Sequence, residues 1–218
     1  MLAASRPSIN NRKPMPGDRT SPLIAIVPAA GMSTRMGQNK LLLTYQGKPL
    51  IAHTVDTLLA TAVDEIVVVL GHDAAKVREK LAGKKLRFVE NSHYREGLST
   101  SVRAGIAAVP SYAGAVMIYL ADQPLLESEE VNLLIGALPE AKKVNKSVVV
   151  PFYRGRRGNP VILDSSYKKA MLDVVGETGC RRVIKSNPDQ VFVVEMDTDH
   201  TVRDVDTMEE YQELVSAI

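Results

Sequence analysis

A chain of 218 residues is long enough for one sizeable α/β core. Its 45% hydrophobic and 24% charged residues are the balance of a soluble globular protein, and no apolar run approaches the roughly 18 residues a membrane span needs. A formal net charge of +2 is too small for nucleic-acid binding by bulk charge, and a lone cysteine, Cys180, excludes an internal disulfide and a clustered cysteine zinc site, which fits a reducing, cytoplasmic setting.

Residues 1–22 carry four prolines and four basic residues with no hydrophobic period, so they are expected to be a disordered tail ahead of a single domain, residues 23–218. Leu23–Val27 has the length and β-branched content of a buried strand. It leads into Pro28-Ala-Ala-Gly-Met-Ser-Thr-Arg-Met-Gly-Gln-Asn-Lys40, where Gly31 and Gly37 permit turns that aim N–H groups at an anion and Arg35 and Lys40 add positive charge. A strand feeding such a loop is a cradle for a polyphosphate. The loop fits neither of two common templates. Ser33 stands where the dinucleotide fingerprint needs glycine, and Gln38 follows Gly37 where the Walker motif needs lysine.

Beyond the loop, Leu41–Tyr45 reads as a short extended piece, Gln46-Gly47-Lys48 as a turn, and Pro49 as the first residue of a helix with Ile51, Val55, Leu58 and Leu59 on one face. Glu65–Leu70 predicts a buried strand, followed by Gly71-His72-Asp73 and a helix with Val77 and Leu81 inward. Leu86–Val89 predicts a strand, Ser99–Val109 a helix, and Ala115–Ala121 a buried strand ending at Asp122-Gln-Pro124. Val131, Leu134, Ile135 and Leu138 stripe the next helix. Apolar strands separated by helices predict a Rossmann-like, mostly parallel sheet flanked by helices. From Ser147 the pattern changes: Ser147–Tyr153 and Pro160–Leu163, joined by Arg154-Gly-Arg-Arg-Gly158, predict a small antiparallel excursion in the C-terminal half. A helix from about Ser166, another near Gly179–Lys185, a strand at Val191–Glu195 and a helix from Thr207 complete the reading. Thr207 and Glu210 have capping-box spacing, with Tyr211, Leu214, Val215 and Ile218 behind them.

Ligands of open α/β sheets collect at the carboxyl ends of strands. Pro28, Ala29, Ala30 and Gly31 of the loop, Gly71, Asn91 and Asp122 all stand at or just after predicted strand ends. Beside a triphosphate cradle, Asp122 is a candidate magnesium ligand. Magnesium takes one or two protein carboxylates and fills its other positions with water and phosphate oxygens, so a second is expected: Asp206, or its neighbour Asp204. The stretch Glu96-Gly-Leu-Ser-Thr-Ser-Val-Arg-Ala-Gly105 puts hydroxyls and free N–H groups at a helix start, making Gly97, Ser99 and Ser101 candidate nucleotide contacts. The four histidines, His53, His72, His93 and His200, are scattered, and no nucleophile and base are paired.

Ala29, Ala30, Gly31, Arg35, Met36, Gly37 and Lys40 match the nucleotidyltransferase signature Ala-Ala/Gly-Gly-x-x-x-Arg-Met-Gly-x-x-Lys. The helix-start segment resembles the Gly-Met-Ser-Ser-Ser-Leu of molybdenum cofactor cytidylyltransferases through Gly97, Ser99 and Ser101. The likeness continues in Ala121-Asp-Gln-Pro124, Gly158-Asn-Pro-Val161, Gly176-Glu-Thr-Gly-Cys-Arg181 and Asp204-Val-Asp-Thr207. The chain thus resembles the molybdenum cofactor cytidylyltransferase-like family of the nucleotidyltransferase superfamily, related to the guanylyltransferases of molybdopterin-guanine dinucleotide synthesis. Glu177 and Cys180 depart from the family's usual Asp and Ala.

The resemblance implies that a terminal phosphate of the pterin attacks the α-phosphorus of CTP, expels pyrophosphate and joins CMP to the cofactor, with Mg2+ as the metal and Arg35, Lys40 and Asp122 as catalytic residues. An ionised phosphate acceptor needs no general base, so alignment and charge neutralisation would carry the reaction. The acceptor side is expected to be positive, drawing on Arg154, Arg156, Arg157, Arg181 and Arg182, with Arg156, Asn159, Pro160, Gly179 and Arg181 touching the acceptor. Two other readings stand beside this one. The same chemistry could use GTP, or a sugar or methylerythritol phosphate as acceptor; or the chain could be a non-catalytic carrier of the finished cofactor. Expected partners are CTP, molybdopterin cofactor and an apo-molybdoenzyme receiving it, with no nucleic acid or membrane, the protein being a monomer or weak homo-oligomer.

Overall fold

In the computed structural model, which describes residues 21–176 and 180–216, the continuous apolar runs become strands and the segments of helical period become the helices that cover them. In chain order the elements are β1 (Leu23–Ala29), β2 (Thr44–Tyr45), β3 (Lys48–Pro49), α1 (Leu50–Leu59), β4 (Glu65–Leu70), α2 (Ala74–Lys80), β5 (Arg87–Glu90), α3 (Leu98–Ala108), β6 (Ala115–Ile118), α4 (Ser128–Lys143), β7 (Val148–Tyr153), β8 (Arg156–Arg157), β9 (Val161–Asp164), α5 (Lys168–Leu172), α6 (Arg181–Lys185), β10 (Val191–Glu195) and α7 (Met208–Ser216). The main sheet runs β10-β7-β9-β6-β1-β4-β5, with β8 hydrogen-bonded to β7, and β2-β3 is a separate ribbon. Strand β1 is parallel to β4 and β6, β4 to β5, and β7 to β10, whereas β9 runs antiparallel to β6 and β7. This is the mostly parallel, Rossmann-like sheet with an antiparallel excursion. The excursion lies inside the sheet: β9 is inserted between β6 and β7 and joins the two halves.

Alternate residues of β1 serve opposite faces, as a period of two requires. Ala25 and Val27 belong to the core shared with Val55 and Leu58 of α1 and Leu134 of α4. Ile24 and Ile26 belong to the core shared with Val102 and Ile106 of α3 and Met171 of α5. Pro49 precedes α1 rather than opening it, because its extended backbone still belongs to β3. Leu59 and Val215, expected inward, are exposed. Neighbouring residues on a helix are about 100° apart, so of Leu58-Leu59 and Leu214-Val215 only the first of each pair faces the core. The capping box at α7 is formed: Glu210 N–H donates to Thr207 Oγ1 at 3.2 Å and Thr207 N–H to Glu210 Oε2 at 2.9 Å.

Strand β6 ends at Ile118, earlier than the apolar run. Tyr119 N–H still donates to Ile26 at 3.0 Å, after which the chain leaves the sheet and carries Asp122 over its carboxyl edge. Of the expected tail, Ser21 and Pro22 are described, and the Pro22 carbonyl accepts from Gly114 N–H at 2.9 Å. The rest of that tail, the expected acceptor residue Gly179, Glu177 and Ile218 lie outside the described residues. No helix among the described residues is long and apolar enough to cross a membrane.

Candidate active site

The loop after β1 is built on two left-handed residues, Ser33 (φ 52°) and Gly37 (φ 66°), flanking one tight turn at Thr34–Met36. Gly31 was the expected source of such a conformation and is not one of these residues. Ser33 takes its place, held there because its carbonyl accepts from Met36 N–H at 2.9 Å and its hydroxyl from Lys40 N–H at 3.2 Å. What Gly31 contributes is a missing side chain: a Cβ there would meet nothing within 4 Å, so bare backbone faces open space. Met36 anchors the turn from beneath, in a small core with Tyr45, Leu50, Val205 and Leu214.

The loop forms one wall of a cleft of about 410 Å³ at the carboxyl ends of β1 and β6. Three segments distant in sequence meet there. Lys40 Nζ donates to Asp122 Oδ2 at 2.5 Å and to Asp206 Oδ1 at 2.7 Å, and Arg35 Nη2 lies 2.9 Å from Asp206 Oδ2. Val205 N–H donates to the Asp122 carbonyl at 2.9 Å, which locks the two carboxylate loops together. The side chains of Lys40, Asp122 and Asp206 are 13%, 18% and 33% exposed, so their charges are partly desolvated. Burial alone would lower the Lys40 pKa; Asp122 and Asp206 outweigh it and hold the ammonium firmly charged. Burial likewise opposes ionisation of Asp206, and Lys40 with Arg35 keeps its carboxyl below the usual range.

Asp204 shows the opposite balance. It stands in the open cleft, and desolvation of its carboxyl, followed by the charge of Asp122, pushes its pKa up to about 6. Gln123, fully buried, donates through Nε2 to Asp204 Oδ1 at 2.7 Å and to the Thr201 carbonyl at 3.0 Å, fixing that loop.

Among the described residues no group of three or more His, Cys, Asp or Glu side chains is arranged to hold a metal ion. Two carboxylates are enough for a cation that completes its shell with phosphate oxygens. The pair Asp122 and Asp206 fits that role on two counts: Asp122 Oδ1 is buried without a hydrogen-bond partner, and a cation, the Lys40 ammonium, already sits between the two groups.

Of the residues expected at the nucleotide, Pro28, Ala30, Gly31, Arg35, Lys40, Gly97, Ser101, Asp122 and Asp206 line the cleft. Ala29 does not; it is buried in the core. Gly71 stands behind the wall, where a Cβ would come within 2.6 Å of Ala30 Cβ and 2.7 Å of Tyr94 Cβ. Asn91 is buried under the start of α3, and Ser99 is buried away from the cleft with its hydroxyl unpaired. Tyr94, Arg95 and Leu98 are cleft residues the sequence reading missed. Applying the strand-end rule to the whole stretch after β5, rather than to Asn91 alone, would have found them.

Of the expected acceptor residues, Arg156, Asn159, Pro160 and Arg181 do not line the cleft. Arg156 and Arg181 are exposed, on β8 and at the start of α6, and Pro160 is buried after a cis bond from Asn159. Asn159 N–H donates to the Thr201 carbonyl at 2.8 Å, the same oxygen that receives Gln123, so this segment braces the Asp204 loop from behind. Cys180 is buried and its thiol is pushed up to about 12 by desolvation, which leaves it inert.

The MobA-like NTP transferase domain profile matches residues 25–191. Nicotine blue oxidoreductase of Paenarthrobacter nicotinovorans is 30% identical over 205 residues, covering 91% of this chain and 100% of that protein. Purine catabolism protein PucB of Bacillus subtilis is 30% identical over 202 residues, covering 88% and 96%. Among solved structures, Rv0371c from Mycobacterium tuberculosis H37Rv superposes with a TM-score of 0.80 at 25% identity, covering 91% of this chain and 100% of that one. Its complex with manganese gives 0.76 at 23% identity, again covering 91% and 100%.

Proposed function

This chain belongs to the MobA-like NTP transferase domain family, nucleotidyltransferases related to the molybdenum cofactor enzymes, and we propose that it transfers CMP from CTP to the terminal phosphate of a molybdenum cofactor, releasing pyrophosphate. One observation carries the reading: Lys40, Asp122 and Asp206, from three segments distant in sequence, meet within hydrogen-bond distance beside a loop of exposed backbone. In the free protein the Lys40 ammonium and the Arg35 guanidinium together balance the two carboxylates. Facing a triphosphate, Lys40 and the exposed Arg35 turn to phosphate oxygens, and the loop amides donate to the same anion. Asp122 and Asp206 would then hold a divalent cation, magnesium in this reading, which supplies positive charge against the phosphates.

The acceptor phosphate is already ionised at neutral pH, so no base is required, and no histidine lines the cleft. Arg35 and Lys40 contribute by opposing charge that grows on the α-phosphate oxygens and the departing pyrophosphate. Gly97 and Ser101 at the start of α3 face the nucleoside, and the small Ala30-Gly31 step leaves the loop wall flat for a ring. The acceptor would approach from the side of the exposed Arg156 and Arg181, with Asn159 and Pro160 supporting the Asp204 loop from behind.

Incubation with magnesium, molybdenum cofactor and each nucleoside triphosphate in turn, followed by pyrophosphate release, tests the reading. Turnover is expected with CTP. Faster turnover with GTP would reassign the nucleotide, and none with any triphosphate would favour the carrier. The full-length likeness to a protein named an oxidoreductase motivates a second reading on the same scaffold. The loop argues against it, because Ser33 stands where a dinucleotide fingerprint needs glycine. Oxidation of a reduced nicotinamide cofactor by the purified protein would revive it.

A further inference from the structure

Ser101, on the first turn of α3, is 4% exposed and lines the cleft. Its hydroxyl oxygen accepts from Asn91 Nδ2 at 3.0 Å. The direction of that bond is forced. Asn91 Oδ1 accepts from the backbone N–H of His93 at 3.0 Å, a group that can only donate, so the amide's NH2 end must face the hydroxyls. The same NH2 donates to Thr100 Oγ1 at 2.9 Å, and Thr100 directs its own proton to the carbonyls of Gly97 at 2.8 Å and His93 at 3.0 Å. Ser101 has no such outlet: among the described residues nothing accepts its proton. A buried hydroxyl that already accepts from behind and faces a cleft must direct its proton into that cleft, to water in the free protein and to an acceptor on the ligand once one binds.

We propose that Asn91 is a positioning residue that, by donating to Ser101, fixes this hydroxyl as an obligate donor to a hydrogen-bond acceptor on the base of the bound nucleotide. The inference rests on the nucleotidyltransferase reading above and deepens it. The phosphates are drawn to Arg35 and Lys40. The wall of Ala30, Tyr94, Leu98 and Ser101 carries no carboxylate and suits a neutral ring. Cytosine presents two adjacent acceptors, O2 and N3, and either satisfies Ser101. Asn91 does not line the cleft, and neither do its other partners Thr100 and His93, so Ser101 is the one group among its hydrogen-bond partners through which it can act directly on a ligand.

Calorimetric titration of CTP with magnesium, without acceptor, into the wild-type chain, Ser101→Ala, Asn91→Asp and the double variant tests this. Asn91→Asp keeps the side-chain size and the acceptor for His93 N–H, but puts an acceptor where the donor stood. Ser101 then turns its proton inward and shows lone pairs to the base. Ser101→Ala is expected to weaken CTP binding about tenfold, and Asn91→Asp by roughly ten- to a hundredfold. The double variant should bind within about twofold of Ser101→Ala, because the effect of Asn91 needs the hydroxyl to act. In turnover, KM for CTP should rise while kcat holds, since the contact is remote from the reacting phosphorus. Additive losses in the double variant would mean that Asn91 only shapes the fold, and would overturn the inference. Ser101→Ala binding CTP as the wild type does would overturn it too, whether or not Asn91→Asp folds. A wild-type chain that binds no nucleoside triphosphate would instead refute the nucleotidyltransferase reading on which it stands.

Discussion

Replacing Lys40 with alanine tests the charge clasp at its centre. The variant leaves Asp122 and Asp206 facing each other without the ammonium that lies 2.5 and 2.7 Å from them. Removing one partner of a fully buried ion pair costs about 3–5 kcal/mol; with the carboxylates 18% and 33% exposed, solvent and Arg35 offset part of that, leaving about 2 kcal/mol. For a chain of this size that is a drop in Tm of roughly 4–8 °C at neutral pH. The pH dependence gives the sign. In the wild type the folded Asp206 pKa is depressed, so its contribution is present above the ordinary carboxylate value and is lost as pH falls through the folded one. In Lys40→Ala the two acids repel, the Asp206 pKa loses the partner that depressed it, and protonation relieves the strain, so the Tm gap to wild type should close on acidification. Turnover should fall by ~10²–10³-fold, the usual cost of one electrostatic contact to a transition state. Added magnesium should raise the Tm of the variant more than that of the wild type, because the carboxylates are no longer occupied. Scanning calorimetry at several pH values with a pyrophosphate assay reads all of this. A variant with wild-type Tm at every pH and near wild-type turnover would refute both the energetic account and the assignment of Lys40.

Asp122→Asn keeps the side-chain size but halves the negative charge of the clasp, and should cost at least ~10²-fold in pyrophosphate release while circular dichroism stays unchanged. Asp206→Asn should match it if both acids hold the cation; a loss confined to Tm would reduce Asp206 to a partner of Lys40 and Arg35. Asp204→Asn should stabilise slightly, by less than about 1 kcal/mol because the group is open to solvent. Its folded pKa near 6 lies above the ordinary carboxylate value, so ionisation works against the fold. The gain should therefore be present above pH 6 and vanish as pH falls toward the unfolded value; a gain that grows on acidification would contradict the raised pKa. CTP should be turned over in preference to GTP, because a wall closed by Ser101 and Leu98 admits a pyrimidine more readily than a purine. Equal rates would remove the cytidylyl assignment and leave the fold untouched.

Much of the fold is legible in the sequence because burial on both faces writes a strand as an unbroken apolar run. Glu65–Leu70 is β4 residue for residue; Val191–Glu195 is β10 residue for residue too, although at the sheet edge only its Val194 is buried, so there the β-branched and aromatic run gives the signal rather than double burial. Leu58-Leu59 and Leu214-Val215 mislead for a local reason: a second apolar residue beside the helical stripe looks like core until the helix is placed. The insertion of β9 between β6 and β7 is not legible, since strand order depends on pairing between residues such as Met117 and Ile162 that no local pattern links. Ser33 hides its role too. Serine carries no left-handed signal, and the conformation is held only by the bonds of its hydroxyl and carbonyl to the turn that follows.

The candidate site was readable in a particular, partial way. A glycine-containing loop with Arg35 and Lys40 announces an anion, and an aspartate after a strand announces a cation; each signal is local. That Lys40 meets Asp122 and Asp206 is not local, for the bonds span 82 and 166 residues of sequence. It follows from topology: β6 lies next to β1, so the turn after one strand comes up beside the loop after the other, and Val205 N–H ties the Asp206 loop to the Asp122 carbonyl. The same reasoning separates Asn91 and Ser99 from Ser101. All three are polar and near a strand end or helix start, the two features that sequence can show. Only the packing of α3 decides which hydroxyl faces the cleft and which amide stands behind it, and that division turns three candidate contacts into one donor and the residue that aims it.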